Sequence, residues 1–405
     1  LIGRTKGGMN TKLHAICDSQ GRPLILFVTA GLVSDYIGAR AFLISLPVHA
    51  APNVVNAANP ELPDVARGVP MGGALEVHDI DLDQVGSSDL TLERFRVFDT
   101  SAELNVDNQY SVAPPTDAYF RGRVAALPDS IVVLAVPEHG PVRGVITDAS
   151  GVWLLAGKSG HSAPGLSNRK LDLETELAGT PFECGAEGAA FAPADLVPAA
   201  GAAGPDTAAL ATNVTHTARV AVETDYEYYA KFKDVTAANQ YMGDVFAYAS
   251  AVYEQEVNTN LVISWSRLWT GGASSDHWDA TSGTAAALYE FRDHWRVGTD
   301  VPGDRTIAHM LSGKSLGGGI AYLSVLCNNY WGYGVSASLG GFFDIDNPRV
   351  VWDLLVVAHE IGHNFSSNHT HDYCGNDGVA DPVDLCYTSA NPPNGPGCGS
   401  ARGLP

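Results

Sequence analysis

Residues 358–370 read Ala-His-Glu-Ile-Gly-His-Asn-Phe-Ser-Ser-Asn-His-Thr, and this segment limits the possible folds more than any other in the chain. Val350, Leu354, Val357, Ile361 and Phe365 recur at three- and four-residue spacing through it, the period of a helix with one apolar stripe. Asn347 before Pro348 supplies a helix start, a side-chain cap ahead of proline in the first turn. On such a helix, residues four apart lie on one face within about 6 Å, so His359 and His363 can offer imidazoles to one metal ion. Glu360 stands about 100° further round, in reach of a metal-held water without being a ligand. His369 must return after a sharp turn to give the third nitrogen. Three protein nitrogens that leave a fourth position for water form the donor set of a catalytic zinc site rather than a structural one.

Outside this helix the composition narrows the function. The 405 residues carry 45 Asp+Glu against 24 Lys+Arg, a net charge of −21, which disfavours a sequence-blind grip on nucleic acid phosphates. The longest apolar runs, 24–33 and 350–358, fall short of the ~18 residues that cross a bilayer, so no membrane span is expected. Residues 1–47 are the exception in charge, with Arg4, Lys6, Lys12, Arg22 and Arg40 against Asp18 and Asp35. This marks them as a separate unit. Six cysteines, three of them gathered at Cys374, Cys386 and Cys398, fit an exported protein with a few loop staples. Residues 41–51 look like the end of a secretory signal without its start.

The expected organisation has four parts. Residues 1–47 read as two short strands joined by a Gly-Arg-Pro turn. Residues 48–186 are strand-rich, with β-prone runs at 119–124, 131–136, 142–147 and 152–155 and a hairpin turn at Asp148-Ala-Ser-Gly151. Residues 187–212, dominated by Ala, Pro and Gly, form a linker. From 213 to 405 the periodicities alternate: strands at 217–222, 261–265, 307–311 and 320–325, helices at 235–257 and 284–295, then the histidine helix. The fold class is thus α/β (α+β) with a long zinc-binding helix, preceded by a mostly β region.

The signature His359-Glu360-x-x-His363-x-x-Ser366-x-x-His369 resembles the metzincin metallopeptidases, and within them the reprolysin or adamalysin-like family. The resemblance extends to Gly318-Gly319-Ile320-Ala321-Tyr322, Cys327 and Gly334-Val335-Ser336, and, through Tyr119–Val124 and Leu127–Ser130, to the family's pro-domain. It implies three zinc-binding histidines at 359, 363 and 369, Glu360 as general base, and peptide hydrolysis by a secreted zymogen. Gly318, Gly319, Ile320 and Ala321 would form the edge strand that binds the substrate backbone in extended form. Cys184, in Pro181-Phe-Glu-Cys184-Gly185, resembles a cysteine switch, whose thiolate would take the fourth zinc position.

Two departures accompany the resemblance. Ser366 stands where the family usually has Gly, at a left-handed exit from the helix that costs a non-Gly residue about 1 kcal/mol. The family's methionine turn follows the third histidine, whereas the methionines here are Met9, Met71, Met242 and Met310, so a domain truncated before that turn is expected. Residues 1–47 resemble a fragment of a DDE insertion-sequence transposase; with only Asp18 and Asp35 it lacks the three carboxylates that hold two metal ions there. The expected partners are protein or peptide substrates, met by a monomer. The alternative is a non-catalytic zinc-binding remnant. Calcium binding, which many relatives show, would rest on Glu223, Asp293 and C-terminal groups absent from this chain, and is not assigned.

Overall fold

The computed structural model describes residues 3–5, 8–17, 23–30, 52–157, 166–173, 216–346 and 349–369. The chain divides into two units, 1–52 and 53–405. The first is an antiparallel three-stranded sheet of β1 (Gly3–Thr5), β2 (Gly8–Cys17) and β3 (Pro23–Ala30), in that order. The signal-like stretch lies outside the described residues.

The second unit begins with β4 (Asn53–Asn56), helix α1 (Leu62–Gly68), β5 (Ala74–Leu82) and β6 (Gly86–Phe95). After β7 (Phe98–Val106) and β8 (Tyr110–Val112) come β9 (Ala118–Val124), β10 (Leu127–Val136), β11 (Arg143–Asp148), β12 (Gly151–Gly157) and β13 (Leu166–Leu171). Eight of these strands form one sheet in the order β13-β12-β11-β10-β9-β6-β5-β4. The Asp148–Gly151 turn closes the β11–β12 hairpin with those two residues paired. Gly151 takes the positive φ of 148° that such a tight turn asks of glycine.

The remaining strands, β14 (His216–Thr224), β15 (Thr259–Leu268), β16 (Ile307–Leu311), β17 (Gly319–Ala321) and β18 (Tyr333–Ser336), alternate with helices α2 (Tyr226–Phe232), α3 (Val235–Val257), α4 (Thr284–Val297) and α5 (Val350–Asn364). They build a seven-stranded sheet in the order β17-β18-β16-β14-β15-β7-β8. Its inner strands are parallel, and β16 is buried at every residue, as strands covered on both faces must be. Strands β7 and β8 come from the N-terminal region: β7 lies parallel to β15, with Leu104 opposite Ser266 and Val106 opposite Leu268. Nothing in the composition of 98–112 sets it apart from its β-prone neighbours, so its transfer to the other sheet is visible only in three dimensions.

Helix α3 explains why. The expected stripe of Val245, Tyr248 and Val252 is only part of its buried surface, since Ala238, Tyr241, Met242, Phe246, Ala247, Ala249 and Ala251 are buried as well. The middle of the helix, residues 241–251, is buried at every position and so must be covered on every side. Helix α3 packs on β15 and α5 on one side and on β9 and β10 of the eight-stranded sheet on the other. Gly243 lies at this second contact, where an added Cβ would stand 2.9 Å from Phe98 Cε2 and 3.0 Å from Tyr119 Cζ. Polar groups finish the junction: Arg143 binds Asp244 through Nε at 2.6 Å and Nη2 at 3.1 Å, and Gln240 donates to Asp117 at 2.9 Å.

Two expected boundaries shift. The strand anticipated at 320–325 ends at Ala321, because the backbone N–H groups of Ser324 and Val325 turn away to the carbonyls of His363 and Asn364, at 3.0 and 3.1 Å. The bond from Val325 satisfies the Asn364 carbonyl at the end of α5, and the bond from Ser324 adds a second donor to the His363 carbonyl. The Asn347–Pro348 start lies outside the described residues; α5 begins at Val350, with Arg349 in the cap position and no side-chain cap.

Candidate metal centre

The apolar stripe of α5 seats it. Val350, Leu354, Val357 and Ile361 are buried in the core shared with α3, and Phe365 meets Tyr253 edge-on with ring centroids 4.8 Å apart. The Tyr253 hydroxyl donates to the Ala358 carbonyl at 2.9 Å. In the first turn the buried Asp353 accepts from Tyr241 Oη at 2.6 Å and from the Gly340 and Gly341 amides at 2.8 and 3.0 Å. At the far end Asn364 Nδ2 donates to the carbonyls of Tyr322 and Tyr333, at 2.8 and 3.1 Å. Asn364 therefore ties the helix to the sheet edge, a role its place in the signature does not reveal.

The chain leaves α5 through Ser366, whose φ of 82° is the left-handed exit expected there. Ser366 N and Ser367 N donate back to His363 O and Gly362 O at 3.0 and 2.9 Å, and the backbone then doubles back to bring His369 over the helix. The three histidines converge: one ring nitrogen from each of His359, His363 and His369 lies within 4.8 Å of the others. Ring centroids are 4.7 Å apart for 359 and 363, 5.2 Å for 359 and 369, and 4.9 Å for 363 and 369.

The protonation pattern follows from the geometry. His363 Nδ1 lies 2.7 Å from the Ser367 carbonyl, which can only accept, so Nδ1 carries the proton and Nε2 keeps its lone pair. That Nε2 faces His359 Nε2 at 3.1 Å. Two nitrogens on one tetrahedral zinc stand about 3.3 Å apart, given Zn–N bonds near 2.05 Å. Burial, reinforced by the neighbouring His363 and His369, pushes His359 down to about 3, so it too stays neutral. This donor set fits a small, nitrogen-preferring cation.

Glu360 is fully buried beside the triad. Its side chain fills the space over Gly319: an added Cβ there would stand 2.5 Å from Oε1 and 2.6 Å from Cδ. Gly319, Ile320 and Ala321 form β17, the terminal strand of the sheet, and the Gly318 carbonyl just before it accepts from Ala337 N at 2.9 Å. The expected base and the expected edge strand are thus in direct contact.

Other singled-out residues lie elsewhere. Cys184, Cys374, Cys386 and Cys398 fall outside the described residues, and Cys327 is a free, exposed thiol. Glu223 is buried and bound by Arg267 Nε at 3.0 Å and by the indole N–H groups of Trp269 and Trp295 at 3.1 and 2.9 Å. Asp293 pairs instead with Arg292 at 2.7 Å. His309 is buried in β16, where Nε2 meets Ser336 Oγ at 2.9 Å and burial pushes its pKa down to about 3.

A helix presenting two histidines at i and i+4 and a third returned over it, beside a mixed sheet that ends in an antiparallel edge strand, form a group that could hold a metal ion. Residues 214–399 match the family model Reprolysin_5, Metallo-peptidase family M12. This segment is reprolysin-like. A curated relative, Disintegrin and metalloproteinase domain-containing protein 19 of Mus musculus, is 26% identical over 160 residues, which cover 38% of this chain and 16% of the mouse protein. The chain therefore spans about a sixth of that relative's length. A solved chain described as "Structure of a chaperone-substrate complex" shares 10% identity over 74% of this chain and 53% of its own, with a TM-score of 0.27.

Proposed function

We propose that this chain is a zinc metalloendopeptidase that acts on protein or peptide substrates. The observation that carries the reading is the convergence of three imidazoles, two on α5 and one returned over it, with the buried Glu360 carboxyl group beside them against the edge strand. His359, His363 and His369 would hold the zinc. When bound, the metal supplies Lewis acidity toward a carbonyl oxygen and toward water. Glu360 takes the proton of the attacking water and returns it to the departing amine as the C–N bond breaks. Ser367, through its carbonyl, orients His363 for its ligand role. Strand β17 offers its free edge to an extended substrate backbone.

The match to family M12 supports action outside the cell. Latency through Cys184 belongs to the same proposal. The test is metal analysis together with cleavage of an unfolded protein by the parent and by Glu360→Ala. Equal zinc content with turnover reduced 10²–10⁴-fold, the span that general-base loss typically gives, supports the reading. Zinc-loaded parent protein that cleaves nothing, with and without Cys184→Ala, would sink it.

A further inference from the structure

Beside the edge strand, an acidic chain gathers its cations. Tyr322, the residue next after β17, accepts a hydrogen bond from Arg292 Nη1 at 2.5 Å and stacks edge-on with Trp331 at 5.0 Å. Trp331 meets Tyr330 at 5.0 Å, and the Arg296 guanidinium caps the Tyr330 ring 3.4 Å from its centroid. Arg296 and Arg305 both line an open cavity of about 610 Å³ between the end of α4 and residues 298–305 and 329–330. Arg305 binds only neutral oxygens, the carbonyls of Pro302 and Asn329 and the Tyr333 hydroxyl, and its buried Nε has no partner among the described residues.

The charge balance is local and positive. Asp293 is the one carboxylate lining this cavity, and it serves both Arg292, at 2.7 Å, and Arg296, at 3.7 Å. Asp300 and Asp304, the nearest other acids in sequence, pair with Arg267 and Arg219. Two guanidiniums therefore share one carboxylate and the third, Arg305, pairs with none, in a chain of net charge −21. Arginines held flat on rings keep their donors fixed, which suits them to planar carboxylates. Helix α4, which carries two of them, packs directly on β17 and β18.

We infer that this arginine and aromatic patch is a subsite for acidic side chains in the part of the substrate flanking the segment on β17. The inference rests on the peptidase reading and names the substrate class: polypeptides with Asp or Glu clustered to one side of the cleaved bond. Arg296 and Arg305 would bind the carboxylates, and Tyr330, half exposed at 51%, would cover the peptide's aliphatic stems.

The experiment uses the full chain carrying Glu360→Gln, so that peptides bind without being cut. Two fluorescein-labelled twelve-residue peptides, one with two adjacent Glu residues and one with Gln in their place, are titrated by anisotropy. At low ionic strength the Glu peptide should bind about fivefold tighter, and the preference should fade by 0.5 M salt. Arg296→Glu, at an exposed position near the end of α4, should abolish or invert the preference, while Arg296→Lys keeps most of it. Equal binding of the two peptides, or a preference untouched by Arg296→Glu, overturns the inference. Cleavage assays with Glu360 restored separate the two claims: discrimination without cleavage removes the peptidase reading alone, and cleavage without discrimination removes the subsite alone.

Discussion

The Glu360 carboxyl group occupies the space where Gly319 has no side chain, with Oε1 2.5 Å from the point a Cβ would take. The edge strand and the proposed base are therefore registered against each other by the smallest residue available. Gly319→Ala must push Glu360 aside without touching the histidines. Zinc content should hold at one per chain while turnover falls about 100-fold, the loss a misplacement near 1 Å can bring. Metal analysis beside a peptide-cleavage assay checks both halves.

His359→Ala combined with His363→Ala removes two of three nitrogens from the centre. Zinc should drop to background in the double variant, with the circular dichroism of the parent apoprotein preserved. Metal that stays bound would mean that the cation sits elsewhere.

Asp353 and Asp225 provide a pH signature distant from the histidines. Burial pushes each up to about 6, despite the amides and hydroxyls that donate to them. The folded state thus binds these protons more tightly than the unfolded chain, and the contribution to stability is full below about pH 4 and lost as pH rises through about 6. For Asp353 alone the change amounts to at most about 3 kcal/mol. Asp353→Asn should therefore flatten the rise in melting temperature that the parent shows between pH 7 and pH 5. Parallel curves for parent and variant would contradict this.

Ser366→Gly should relieve the left-handed backbone at φ 82°. Against that gain stands the loss of the Ser324 and Ser366 hydroxyl contact, which is exposed and weak. Thermal unfolding should show the variant more stable by about 0.5 kcal/mol, with zinc content unchanged.

The histidine helix was legible because its signals are local: a stripe at 3.6-residue period, two imidazoles one turn apart, and an exit that needs positive φ. Helix α3 at 235–257 and strand β16 at 307–311 were equally plain, the first being long and the second apolar at every residue but His309. What the residues did not disclose depends on contacts far apart in sequence. Gly319 gives no sign that it stands over Glu360. Strand β7 carries the same alternation as its neighbours, and only its pairing with β15 assigns it to the other sheet. The arginine patch is dispersed over residues 292, 296 and 305, and the fold alone brings it to one cavity.

Helix α3 is held between two sheets, one built largely from residues before 174 and the other from residues after 215. A nick in the backbone between them would sever no strand pairing among the described residues. The two pieces would stay locked together at the effective concentration of a single molecule. Their parting would have to wait for the β7–β15 ladder and the buried Arg143–Asp244 pair to open, an event governed by the rate of local unfolding rather than by the rate of cutting. Proteolysis in that stretch would therefore start a slow clock, with the N-terminal half leaving only on the time scale of a breathing core.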